Sequence, residues 1–77
     1  MDKQFSLIYG NENVFYKIVK VLGQTKIKRR LLDMGFVNCN VLIIKKSQFK
    51  GVYLLQLRDY VLALKKKEVA NIIVEVI

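Results

Sequence analysis

The connections between the apolar segments in the second half of this chain are too short for parallel strands. These segments occupy residues 41–46, 52–58, 61–64 and 72–77, so five, two and seven residues join them in turn. A crossover between parallel strands takes about a dozen residues or more. We therefore expect neighbouring strands to be antiparallel and the fold to be mainly β.

A chain of 77 residues supports one domain, because two independent cores could not both be buried. Residues 14–22, VFYKIVKVL, are β-branched and aromatic and predict the first strand. About five short strands, with one short helix after the first, then form a small, partly open SH3-like barrel. We assign residues 14–77 to this barrel and residues 1–13 to a loosely attached, extended N-terminal leader, whose Phe5, Leu7 and Ile8 could pack on the barrel. The loop at 47–51, SQFKG, is predicted to turn at Gly51.

The clearest helix follows the first strand, at TKIKRRLLDMGF. Ile27, Leu31 and Met34 recur at the spacing of one helical face, which predicts that they contact the core. Thr25 is expected to cap the start of the helix through its hydroxyl group.

The end of this helix predicts a Schellman motif. Gly35 supplies the left-handed residue, and Phe36 then packs back on Leu31, so the turn and the apolar face support each other. We interpret Leu31, Met34 and Phe36 as core residues and Gly35 as the helix stop.

The chain is strongly basic, with 14 Lys and Arg against 6 Asp and Glu and a net charge of +8, which favours an anionic partner. Cations in the first turn of a helix oppose its dipole, so helix stability does not explain those at the start of this one. Asp33 can pair with Arg29 or Arg30 but cannot neutralise the whole group. Either these cations are simply solvated or they meet a partner. The candidate docking face joins them to lysines of the next hairpin: Lys26, Lys28, Arg29, Arg30, Lys45, Lys46 and Lys50.

No pattern in the sequence indicates catalysis. Histidine is absent, which removes the commonest general base and the commonest transition-metal ligand. Cys39 has no histidine to activate it, and as the single cysteine it fits a reducing, cytosolic compartment. The acidic residues lack ligand spacing, and the glycines stand alone, so there is no phosphate loop. We expect a binding module without catalytic residues, cofactor or metal ligands, not an enzyme.

Two separated motifs resemble the FeoA family of small, SH3-like ferrous iron transport proteins. RRLLDMGF at 29–36 is similar to the helix end of that family, and LRDYVLALKKKEVANIIVEVI at 57–77 is similar to its later strands in order and spacing. The resemblance covers residues 14–77. This chain departs from the family pattern at 38–40, where a Pro-Gly turn is common, and at Asp59, where a glycine is frequent.

The resemblance implies an accessory protein of ferrous iron uptake. Its partner would be the cytosolic, GTP-binding part of a FeoB-type membrane permease, and docking there would support or regulate transport. The location implied is cytoplasmic, at the inner face of the membrane through the partner, with no small-molecule substrate. An exposed edge strand could also pair two copies weakly.

The alternative function belongs to another class. A small SH3-like barrel with this charge could bind nucleic acid, holding phosphates with Lys and Arg and stacking bases on tyrosines. The tyrosines considered are Tyr9, Tyr16, Tyr53 and Tyr60. Equally, they could be strand residues that fill the barrel. Phosphate binding would weaken steeply with salt, whereas an apolar protein contact would not.

Overall fold

The computed structural model describes residues 3–47 and 50–77, which form one antiparallel sheet with two helices. The strands are β1 Gln4–Ser6, β2 Phe15–Val21, β3 Asn40–Ser47, β4 Val52–Leu57, β5 Tyr60–Lys65 and β6 Ile72–Val76. The helices are α1 Thr25–Asp33 and α2 Lys66–Val69, and a 3₁₀ turn covers Leu7–Tyr9. Neither described helix is long and apolar enough to cross a membrane. The strand order is β1-β6-β2-β3-β4-β5, so the predicted mainly β fold is confirmed.

The N-terminal segment departs most from prediction. Strand β1 pairs with β6, with Phe5 opposite Val74, and Ser6 Oγ donates to the carbonyl of Ala70 at 2.9 Å. The side chain of Leu7 is fully buried. The predicted leader therefore adds a sixth strand, α1 follows the second strand, and the expectation of loose attachment was wrong. A strand whose partner lies at the other end of the chain leaves no local signal in the sequence. The domain boundary at residue 14 stays a prediction.

Side chains alternate between core and surface along the central strands. In β4, Tyr53, Leu55 and Leu57 are buried, while the residues between them are more exposed. The pairing of β2 with β6 shifts by one residue between Ile18 and Lys20, and this irregularity explains why the alternation of β2 is imperfect. The buried face of the sheet and one side of α1 enclose the core.

The end of α1 is the Schellman motif that the sequence predicts. The amide of Phe36 donates to the carbonyl of Leu31 at 3.1 Å, and the amide of Gly35 donates to that of Leu32 at 3.0 Å. Gly35 has a φ of +100°, which favours glycine. Phe36 and Leu31 are both fully buried, so the turn and the core depend on the same pair of side chains.

The start of α1 differs from prediction. Thr25 is the first helical residue and the capping position belongs to Gln24, whose side chain makes no capping hydrogen bond with any described residue. The prediction that Thr25 caps the helix was wrong. Helix α1 therefore depends on packing and on its C-terminal motif more than on its first turn.

The hairpin between β3 and β4 confirms the predicted pairing, which runs from Val41 opposite Leu57 to Ser47 opposite Val52. Residues 48 and 49 of the predicted loop lie outside the described residues. Gly51 has a φ of +60°, in agreement with its predicted place in the turn.

Candidate functional site

The cations of α1 do not share one face. Successive helix residues are rotated by about 100°, so Lys28 and Arg30 flank the buried stripe on opposite sides. Lys26 and Arg29 lie on the remaining, solvent-facing part of the helix, and all four side chains are exposed. The helix cations of the predicted docking face therefore point in different directions around α1. The buried stripe separates Arg30 from Lys28.

Arg30 forms an ion pair that the sequence analysis missed. Its Nη1 lies 2.6 Å from Oε2 of Glu68, whose side chain is only 9% exposed whereas that of Arg30 is 63% exposed. The other carboxylate oxygen of Glu68 accepts the amide of Lys65 at 3.1 Å. Within the described residues Asp33 makes no ion pair, so the predicted pairing of Asp33 with Arg29 or Arg30 was wrong.

Helix α1 is also tied to the start of β5. The Tyr60 hydroxyl donates a hydrogen bond to the carbonyl of Met34, the residue that caps the end of α1. Since Arg30 pairs with Glu68, α1 is connected both to the first residue of β5 and to α2, the helix that follows this strand.

An open groove of about 520 Å³ lies between α1 and the β5–α2 segment; we call it the α1–β5 groove. Ile27 of α1 and Val52 of β4 are half-buried and give it an apolar base, to which Leu64, only 1% exposed, adds almost no surface. Its charged lining residues are Arg30, Lys65, Lys67 and Glu68. Three cations therefore border the groove, against one carboxylate that already accepts two hydrogen bonds.

The hairpin lysines lie elsewhere. Lys46 Nζ donates to the carbonyl of Ile8 at 3.1 Å, and the Tyr53 hydroxyl donates to the same oxygen at 3.2 Å. The ammonium group also lies 5.7 Å from the centroid of the Tyr53 ring, within the range of a cation–π contact. Burial raises the pKa of Tyr53 above its ordinary value, which keeps the hydroxyl protonated as a donor. Lys45 and Lys50 are exposed.

These contacts line a second depression of about 530 Å³, which we call the Lys46 cleft. Its wall includes Tyr9, Lys46, Tyr53 and Lys66. None of the described residues lines both depressions, so Arg30 and Lys46 belong to separate surfaces. Sequence reasoning missed Lys65, Lys67 and Glu68 as neighbours of Arg30, although the run KKKE was the visible signal.

The candidate base-stacking tyrosines do not form a surface. Tyr16 and Tyr53 are 3% and 7% exposed, so these two side chains belong to the core. Tyr9 and Tyr60 are 73% and 40% exposed, and the hydroxyl of Tyr60 is bonded to α1. Stacking on all four rings is therefore excluded in this conformation.

Metal-binding groups are not clustered in the described part of the chain, where no three His, Cys, Asp or Glu residues could share an ion. The Cys39 thiol is half-buried and donates to the carbonyl of Gly35 at 3.3 Å, beside the Schellman turn. The expectations that the chain is not an enzyme and holds no metal stay predictions.

Comparison with known proteins adds the family. The sequence matches the FeoA domain family over residues 11–76. An NMR structure of a FeoA-like protein from Clostridium acetobutylicum is similar, with a TM-score of 0.88 and 31% identity over 100% of this chain and 91% of that one. A crystal structure of an iron uptake regulatory protein (FeoA) has a TM-score of 0.81 and 15% identity over 94% of this chain and 95% of that one. Both likenesses support the predicted SH3-like fold.

A manganese-dependent transcriptional repressor contains a similar fold. Its TM-score is 0.90 at 10% identity, and the match covers 100% of this chain but only 44% of the repressor. At this identity the likeness concerns the fold alone. A search of curated protein sequences gave no match.

Proposed function

The chain belongs to the FeoA family, which is implicated in ferrous iron transport, and from that premise we propose that it is a cytosolic accessory protein of ferrous iron uptake. In this proposal it docks on the cytosolic, GTP-binding part of a FeoB-type membrane permease and supports or regulates transport. It has no substrate of its own and catalyses no reaction.

The observation that carries the proposal is the extent of the family match, which runs over residues 11–76 of a 77-residue chain. The two motifs that resemble the family also contribute to one surface, since Arg30 of the first pairs with Glu68 of the second. A surface built from both motifs supports a role that depends on contact with another macromolecule.

A docking protein changes the activity of its partner only if it binds two states of that partner with different affinity. We therefore expect the chain to prefer one nucleotide state of the GTP-binding part. The ratio of the two affinities sets the largest shift that docking can produce in the partner's equilibrium between its two states.

The test is direct binding between this chain and the purified cytosolic part of the permease from the same genome. Both proteins are treated with nuclease first, and the partner is loaded with GDP or with a non-hydrolysable GTP analogue. We expect nuclease-resistant binding whose affinity differs between the two nucleotides. If the amide spectrum shows that the chain is folded and it binds neither nucleotide state, the proposal is contradicted.

The nucleic-acid alternative is tested separately, by capturing the material that binds this chain in a cell extract. The net charge of +8 still favours polyanions, but two of the four tyrosines considered for stacking are in the core. Nucleic-acid binding predicts that material bound from a cell extract is removed by nuclease and released steeply by salt. Binding that survives both treatments favours the docking function.

A further inference from the structure

Strand β5 forms an open edge of the sheet. Within the described residues it has β4 as its one neighbour, and a two-residue turn, Arg58 and Asp59, joins the two strands. Arg58 has a φ of +55° at the first central position of this turn, and the turns favoured in two-residue hairpins have a positive φ there. The edge is therefore a regular strand that ends a well-formed hairpin.

The hairpin geometry decides which backbone amides and carbonyls of β5 have no hydrogen-bond partner in β4. Leu57 and Tyr60 close the turn as a hydrogen-bonded pair, so the amides and carbonyls of Val61, Ala63 and Lys65 point away from β4. The amide of Lys65 indeed donates to the carboxylate of Glu68. Among the described residues, the backbone hydrogen bonds formed outside the sheet include none from Val61 or Ala63.

This edge borders the α1–β5 groove, because Ala63, Leu64 and Lys65 line it. An extended peptide that pairs with a free strand edge gains main-chain hydrogen bonds, and neighbouring pockets then select its side chains. Here the apolar base includes Ile27 of α1. The groove therefore combines an unpaired edge with an apolar contact surface.

The charges of the groove select an acidic occupant. Lys65 and Lys67 are exposed, and Arg30 donates to Glu68 through Nη1 alone among the hydrogen bonds of the described residues. The guanidinium group has five N–H donors in a fixed fork. Glu68 thus orients Arg30 while leaving donors that can bind another carboxylate in a bidentate manner.

We infer that the α1–β5 groove binds an extended, acidic segment of a partner protein, which adds as a further strand to β5 and places its carboxylates on Arg30, Lys65 and Lys67. This inference rests on the proposed function and names the surface that would serve it. A second copy of this chain fits the groove poorly, because each copy carries a net charge of +8 and pairing two β5 edges brings both sets of cations together.

The edge and the charges can be tested with separate variants. Ala63→Pro removes an amide that points away from β4, and edge strands tolerate proline at such positions. We expect its affinity for the cytosolic part of the permease to fall roughly tenfold, which is about the effect of losing one good hydrogen bond. Unchanged affinity in a folded variant would overturn the strand-addition part of the inference.

The charge test compares two lysines with the same change of net charge. Lys67→Glu alters the groove, whereas Lys20→Glu alters an exposed position on β2. We expect roughly a tenfold or greater loss for Lys67→Glu and a much smaller one for Lys20→Glu. Equal losses would overturn the assignment of the acidic segment to the groove. This pair remains informative if Ala63→Pro fails to fold.

The deciding measurement is a titration of the ¹⁵N-labelled chain with the purified cytosolic part of the permease, followed by amide spectra and hydrogen exchange. We expect shifts along β5 and at Arg30, with slower exchange of the Val61 and Ala63 amides. Shifts confined to the Lys46 cleft would overturn the inference while leaving the docking function intact. No shifts anywhere would overturn both. Shifts along β5 that depend on the concentration of the free chain would assign the edge to a second copy and overturn the acidic partner.

Discussion

The α1–β5 groove and the Lys46 cleft are nearly equal in volume, at about 520 and 530 Å³, yet their cations are bound differently. In the cleft, Lys46 Nζ and the Tyr53 hydroxyl converge on one carbonyl, that of Ile8. In the groove, Arg30 uses one nitrogen for Glu68 and keeps a largely exposed guanidinium. Lys46 and Tyr53 hold the N-terminal segment in place, whereas Arg30 in the groove retains exposed donors for another molecule.

This difference shows that counting cations does not locate a docking surface. The ammonium group of Lys46 keeps two of its three N–H donors, but this side chain is half-buried against the N-terminal segment, so a partner can reach less of it than of Arg30. An arginine held by one nitrogen loses nothing when its other donors are used. The following predictions test whether the two regions differ in this way.

The largest expected effects concern the leucines that anchor each region, Leu31 in the groove helix and Leu7 in the segment beside the cleft. Both are fully buried, so replacing either by Ala should lower the free energy of unfolding by about 3 kcal/mol. Urea denaturation measures both, with Leu32→Ala as an exposed control. A loss under about 1 kcal/mol for Leu7→Ala would contradict the integral role of the N-terminal segment.

The next effect compares two glycines with positive φ. At Gly35 a new Cβ would lie 3.1 Å from the Tyr60 hydroxyl at a φ of +100°, whereas at Gly51 it meets no described atom within 4 Å at a φ of +60°. We expect Gly35→Ala to cost about 2 kcal/mol and Gly51→Ala about 1 kcal/mol. Thermal denaturation of both variants measures the difference. Equal losses would mean that the end of α1, beside the α1–β5 groove, is packed no more closely around Gly35 than the turn beside the Lys46 cleft is around Gly51.

Removing the charge of Glu68 should have a smaller effect on stability. Glu68→Gln weakens the contact with Arg30, but the arginine is 63% exposed, so solvent screening limits the loss to about 1 kcal/mol. Asp33→Asn is the control, because Asp33 makes no ion pair within the described residues. A loss for Asp33→Asn as large as that for Glu68→Gln would show that general charge balance, and not this ion pair, is responsible.

The smallest effect concerns the cleft and depends on pH. Tyr53→Phe removes one of two donors to Ile8, which should cost about 0.5 to 1 kcal/mol near neutral pH. Burial raises the pKa of Tyr53 above 10.0, so as pH rises the unfolded chain loses this proton before the folded one. The contribution of Tyr53 is therefore complete below about pH 10 and is lost above it.

Denaturation of both proteins near pH 8 and above pH 10 measures this contribution. We expect the wild-type protein to lose more stability over the interval than the variant does. An identical decline in both would show that the Tyr53 hydroxyl has the same environment in the folded and unfolded chains.

Much of the fold follows from local pattern. Residues 52–58 and 61–64 are short apolar runs typical of strands, and the two residues between them are too few for anything except a tight hairpin. The strand predicted at 14–22 was found at Phe15–Val21. The N-terminal leader was misjudged because its own sequence does not reveal whether it pairs. That depends on its partner strand β6, which lies at the other end of the chain.

The candidate site was predicted less well, for a similar reason. Arg30 was singled out, but a helix pattern offers only its neighbours three or four residues away as partners, and that led to Asp33. The actual partner, Glu68, is 38 residues further along the chain. Similarly, Lys45 and Lys46 were grouped with the helix cations from proximity in sequence, although Lys46 turns towards Ile8.

The sequence by itself determined the helix end, the short antiparallel strands and the family resemblance, because each depends on residues close together in the chain. The left-handed residue at Gly35 and the packing of Phe36 on Leu31 are properties of six consecutive residues. Only the tertiary structure decided which strand is the free edge and which donors remain unused. Those depend on pairings between distant segments, where geometry selects one partner among many that the sequence would allow.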